Sequence, residues 1–97
     1  MNKPKAYALV EVLGTSHAVQ AVDQMLKCAT LELCARETSC GGHVTVVLEG
    51  DVSACQSAVD SVRENPPCPI LGACVISGPS DELFDVVTSI GKKMRKA

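Results

Sequence analysis

Aromatic residues are nearly missing from this 97-residue chain: Tyr7 and Phe84 are the whole complement, and tryptophan is absent. The core must therefore be assembled from Val, Leu, Ala, Cys and Met. A domain this small buries a limited fraction of its surface on its own. Long apolar runs are missing too. The longest is about five residues, Ala6 to Val10, and a bilayer span needs roughly 20, so no membrane role is expected. Excess charge of one sign is also lacking: Lys and Arg number 9 against 11 Asp and Glu, a net charge of −2. That balance leaves no electrostatic footprint for nucleic acid. With only 7 Gly and 5 Pro, a low-complexity linker is excluded, and the Leu, Ile, Val and Phe content places the chain among folded proteins. The opening Met1-Asn2-Lys3-Pro4-Lys5 is basic, but Glu11 interrupts the apolar stretch behind it too early for a signal peptide. The expectation is a cytoplasmic single domain over residues 1–97, with 1–5 a tail and a core at about 6–95.

What the chain does have is six cysteines: Cys28, Cys34, Cys40, Cys55, Cys68 and Cys74. They contain no Cys-x-x-Cys pair and no spacing suited to a zinc knuckle or a ferredoxin-type cluster run. In a reducing compartment, Cys28, Cys34, Cys55 and Cys74 read as small buried hydrophobes. Cys40 sits among glycines and Cys68 among prolines, and both stand apart from that reading.

Periodicity supplies the elements. AYALVEV, from Ala6 to Val12, is a strand closed by Gly14. Thr15 or Ser16 is expected to cap a helix to about Ala29, with Ala18, Val19, Val22, Met25, Leu26 and Ala29 at steps of three and four. In Thr30 to Thr38, Leu31, Leu33 and Ala35 alternate with Glu32, Cys34 and Arg36, the period of a strand with one face buried. Ser39-Cys40-Gly41-Gly42 is a turn into the β-branched strand His43 to Leu48. Asp51 precedes a helix to about Glu64 with Val52, Cys55, Ala58, Val59 and Val62 inward. Asn65-Pro66-Pro67-Cys68-Pro69 breaks it. Ile70 to Ser77 is a short strand, and Ser80 caps a last helix with Leu83, Phe84, Val87, Ile90 and Met94 on its apolar face. The order βαββαβ, then α, is an α+β, ferredoxin-like sheet-and-helix domain with an added C-terminal helix.

No catalytic machinery follows. His17 and His43 belong to different elements, and Cys40 in the turn does not share a strand face with His43. Gly41-Gly42 opens no helix, so it is no phosphate cradle. The chain is not expected to be an enzyme.

Several segments together resemble the bacterial microcompartment (BMC) domain shell proteins. Val10-Glu11, Gly14, then Asp23, Met25, Lys27 and Ala29 follow that family's opening pattern, and Val44-Thr45-Val46 with Gly50-Asp51-Val52 follow its middle. The resemblance covers about residues 6–90. It implies the single-domain class of homo-hexamers, tiling with other shell proteins around encapsulated enzymes, with a central pore for small metabolites. It also implies that Lys27 lies at the hexamer edge and that Ser39, Cys40, Gly41 and Gly42 form the pore loop. The loop carries no charge, so neutral or weakly anionic solutes are the expected traffic. Gly78 stands where the family commonly has an arginine before Pro79, which weakens edge contacts. No resident cofactor is expected, with one candidate exception. Copies of Cys40 around the axis would offer thiolates to an iron–sulfur cluster or another soft metal, as some family members hold clusters at the pore. The alternative reading is a small oligomeric ferredoxin-like regulatory domain that binds metabolites.

Overall fold

A computed structural model describes residues 3–96, with the side chains of Cys40 and of residues 93–96 outside the description. The elements are β1 (Ala6–Leu13), α1 (Thr15–Cys28), β2 (Glu32–Thr38), a single 3₁₀ turn (Cys40–Gly42), β3 (His43–Gly50), α2 (Val52–Glu64), β4 (Gly72–Ser77) and α3 (Asp81–Lys96). The four strands form one antiparallel sheet in the order β2-β3-β1-β4. Every expected element exists, in the expected α+β order.

β1 is central and covered on both faces, which is why its sequence reads as an unbroken apolar run rather than an alternation. Its even positions, Ala6, Ala8, Val10 and Val12, join Val44, Val46 and Leu48 beneath α1 and α2. Those helices contribute Ala18, Ala21, Met25, Cys55, Val59 and Val62. Its odd positions, Tyr7 and Leu9, join Ala35 and Val47 on the opposite face, where α3 lays down Leu83, Phe84, Val87 and Ile90. The domain is thus three layers, with the added helix alone on its side. Burial raises the Tyr7 hydroxyl to about 12, with the Cys34 thiol and Glu49 adding to the effect.

Local details correct the sequence reading in six places. Val52, expected inward, is exposed, because it is the first residue of α2 and lies ahead of the buried Cys55, Ala58, Val59 and Val62. Neither Thr15 nor Ser16 caps α1; Gly14, at φ 92°, holds the cap position, and no side chain bonds the free amides. Asp51 occupies the α2 cap position without a side-chain bond, whereas Ser80 caps α3 as expected, Leu83 N donating to its Oγ at 3.1 Å. Ala35 does not share a face with Leu31 and Leu33. The register slips between Leu33 and Ala35, so Cys34 is a bulge and every later residue of β2 is turned over. Val19 and Leu26 lie on the outer flank of α1 and are exposed, because the apolar stripe is wider than the sheet contact. Among the cysteines, Cys28 and Cys74 are exposed rather than buried, while Cys68 is buried and its thiol donates to the His17 carbonyl at 3.5 Å. Met94, expected on the inner face of α3, lies outside the described side chains.

Candidate functional site

Residues Ser39–Gly42 stand at one end of the sheet. Gly41 and Gly42 have φ of 86° and 83°, a region that costs other residues roughly 1–2 kcal/mol, and this allows the chain to reverse within three residues. Ser39 N donates to His43 O at 2.9 Å and Gly42 N to Ser39 O at 3.2 Å, closing the turn. Gly14 N donates to Gly42 O at 2.9 Å, which ties the turn to the β1–α1 connection. Ser39, Gly41 and Gly42 are exposed. The backbone of Cys40 lies in the turn; its side chain is outside the described residues.

Directly behind the turn, His43 Nδ1 lies 3.2 Å from Glu11 Oε2. A carboxylate only accepts, so Nδ1 carries the proton in this contact. Both side chains are about half exposed. The sequence places His43 at the start of a strand and gives no reason to join it to Glu11, 32 residues earlier. Only the β1–β3 register, Leu13 opposite His43 and Glu11 opposite Thr45, brings them together. His17 is elsewhere, on α1, and its Nδ1 is buried without a hydrogen-bond partner among the described residues.

Lys27 occupies the last turn of α1, about 18 Å of helix from Thr15 at 1.5 Å per residue. It is therefore at the end of the domain remote from the turn. Its Nζ lies 2.9 Å from Asp23 Oδ2, and the side chain is exposed. Gly78 is at that same far end, where Ala6 pairs with Ser77; Gly78 N donates to Lys5 O at 2.9 Å. The structure thus does not bring the candidate residues into one cluster. It sets the turn at one end and Lys27 at the other.

Between them, an apolar groove of about 290 Å³ runs between α1 and strands β2 and β3, lined by Val19, Val22, Leu26, Leu33 and Val46, with Asp23 and Arg36 also lining it. The buried thiols of Cys55 and Cys68 are pushed up by desolvation, with Asp51 adding to the effect at Cys55. Among the described residues, no three or more His, Cys, Asp or Glu side chains gather to hold a metal ion. No described helix is long and apolar enough to cross a membrane.

The domain is a three-layer α+β fold with an exposed glycine turn at one end and an exposed lysine at the other. Residues 6–79 match the BMC domain family, and the chain belongs to that family. It is 43% identical over 56 residues to the bacterial microcompartment shell protein EutK of Escherichia coli, a match covering 58% of this chain and 34% of that one. The matched region thus spans about a third of the EutK relative. It is 34% identical over 84 residues to the carboxysome shell protein CcmK2 of Synechococcus elongatus, covering 82% of each. Among solved structures, a microcompartment protein from Desulfitobacterium hafniense superposes with a TM-score of 0.73 at 26% identity, over 87% of this chain and 47% of that one.

Proposed function

We propose that this chain is a structural subunit, not an enzyme, of a bacterial microcompartment shell in the cytoplasm. Six copies close into a ring, with Ser39, Cys40, Gly41 and Gly42 around the axis and Lys27 at the rim. The observation that carries the ring geometry is the separation of the glycine turn from Lys27 by the length of α1. An axis and a rim need to be at opposite ends of a subunit. The apolar groove along Val19, Leu26 and Leu33 supports closure, since a symmetric neighbour would bury it.

Neighbouring shell proteins meet the rim, enzymes lie on one side, and small metabolites pass the turn. Releasing Lys27 from Asp23 for a neighbouring ring costs little, because an exposed i,i+4 pair is worth about 0.3–0.5 kcal/mol. With Gly78 in place of an arginine, the rim relies on Lys27. Each copy brings one cysteine and two glycines to the turn. A cluster there would need thiolates from several subunits, as the turn holds a single cysteine and Cys34 sits back on β2 with its Sγ 3.2 Å from Val47 O. Iron analysis of anaerobically purified protein, compared with Cys40→Ser, distinguishes the two; the thiol-lined opening requires iron-free protein.

Sedimentation tests the ring. The expected species is six times 10.1 kDa, and a stable monomer at micromolar concentration would contradict it. Negative-stain images should show sheets or tubes. Lys27→Ala should keep the rings and reduce the sheets; unchanged sheets would return Lys27 to a solvated helix residue.

A further inference from the structure

The two edges of the sheet are protected very differently. β2 carries Glu32, Arg36 and Glu37, is interrupted by the register slip at Cys34, and lies against α3. β4, at the other edge, reads GACVIS and has neither charge nor proline, the devices by which edge strands avoid pairing with other chains. Gly78 N donates to Lys5 O, so in the β1–β4 register Gly72, Cys74 and Ile76 turn their backbone groups toward β1, and Ala73, Val75 and Ser77 turn theirs outward. One outward group is taken: the Arg63 guanidinium, reaching from α2, donates to Ala73 O. Val75 and Ser77 have no such partner among the described residues. Beside Ala73 the edge opens on a depression of about 650 Å³ lined by Val62, Arg63, Pro66, Pro69 and Ile70. Arg63 forms no ion pair among the described residues, and a neutral carbonyl leaves its charge and its remaining N–H donors in place. The other charges near β4 lie elsewhere. At the Ser77 end, Lys5 pairs with Asp51 and Lys3 with Asp81. Glu11 is on the α3 face, bonded to His43. Asp60, which accepts from Gln56, and Glu64 share α2 with Arg63 but do not line the depression.

We propose that the β4 edge binds the extended C-terminal segment of another protein, its backbone pairing with Val75 and Ser77, its terminal carboxylate on Arg63 and its last, apolar side chain in the depression beside it. Direction decides which end arrives there. β4 runs from the depression at Gly72 and Ala73 toward Ser77, so an added antiparallel strand runs the other way and finishes at Arg63. Main-chain bonds supply affinity whatever the sequence; the depression and the cation select an apolar last residue and a free carboxylate. A second copy of this chain fits worse. Antiparallel pairing of β4 with β4 would bring Ser77 of one copy to Ala73 of the other at both ends, where Arg63 already holds the carbonyl. A chain that ends needs nothing beyond Arg63. All parts of the site belong to one chain, so the proposal does not rest on the ring reading.

The test is fluorescence anisotropy of the full chain, in the assembly it forms, with a labelled peptide Ser-Thr-Val-Thr-Val-Leu ending in a free carboxylate, against the same peptide as its C-terminal amide. The acid should bind at least about ten-fold more tightly than the amide, and Arg63→Gln should bring the two within about two-fold of each other. Val75→Pro removes an outward N–H and none of the bonds to β1, and should abolish binding of both peptides while the circular dichroism spectrum stays that of the wild type. Should Val75→Pro fail to fold, Arg63→Gln carries the test, since Arg63 is exposed. Equal binding of acid and amide by the wild type, or no binding of either, would overturn the proposal. So would a wild type that ignores the peptide while Val75→Pro sediments as a smaller species, because the edge then belongs to a second copy. Sedimentation of the wild type without peptide reads the ring separately.

Discussion

The two faces of the sheet are built by different means. Under α1 and α2, side chains interlock: Met25, Cys55, Val59 and Val62 reach no solvent and fill the space above Val10, Val12 and Leu48. Under α3, the buried set shrinks to Tyr7, Ala35, Val47 and Val87, ringed by partly buried neighbours. There the decisive contact is backbone on backbone. A Cβ on Gly91 would sit 2.5 Å from the carbonyl oxygen of Cys34, the bulged residue of β2. One face depends on volume and the other on clearance. Substitutions should therefore fail differently on each.

The largest effect is expected from Met25→Ala, which empties a fully buried site and should cost about 2–5 kcal/mol. Urea unfolding of the isolated chain measures it, and a loss below 1 kcal/mol would mean that the helix face can collapse around the gap. Next is Gly91→Ala. In a free helix this change is favourable by about 1 kcal/mol, yet here it should destabilise by about 1–3 kcal/mol through overpacking against the Cys34 carbonyl. Hydrogen exchange should quicken in α3 and around Tyr7 while α1 and α2 keep their protection. Uniform loss of protection would erase the distinction between the faces.

A smaller but cleaner contrast lies in the thiols. At a dilution where single chains predominate, Cys28 and Cys74 should react with a thiol reagent at least about ten times faster than Cys55 and Cys68, whose burial both shields the sulfur and disfavours the thiolate. Equal rates would mean that the α1–α2 core opens as readily as the surface. The smallest effect belongs to the ion pair that tethers the start of α3. Lys3 Nζ lies 2.6 Å from Asp81 Oδ1, and this hydrogen bond and charge lower the Asp81 carboxyl. A carboxyl lowered on folding stabilises above its ordinary range and loses that contribution as the pH falls through its lowered value. The Tm difference between wild type and Asp81→Asn should thus be small at neutral pH and shrink below about pH 4; a gap that widens on acidification would contradict the assignment.

Element order was legible in the sequence because each element obeys its own local rule: apolar steps of three and four in α2, β-branched residues in β3, prolines after Glu64, Ser80 ahead of α3. The glycine turn was legible for the same reason, since Gly41-Gly42 declares its own geometry. What escaped depends on contacts far along the chain. Val19 and Leu26 obey the helical period as well as Met25 does, and only the placement of α1 on the sheet decides which of them is covered. Cys68 lies among prolines, which gives no hint that it packs against His17. Glu11 looks like the end of an apolar stretch until the β1–β3 register sets it beside His43.

The bulge at Cys34 also acts as a phase shift in charge. Regular alternation continued from Leu33 would turn Arg36 toward α3 and Glu37 toward the α1 groove. One extra residue in the strand inverts that choice: it sends the cation to the groove margin and the carboxylate to the row of Glu11 and Thr45. The charge that each face of β2 carries is thus written in strand register as much as in composition. An insertion or deletion in β2 on the turn side of Cys34 could recode it without altering a single charged residue.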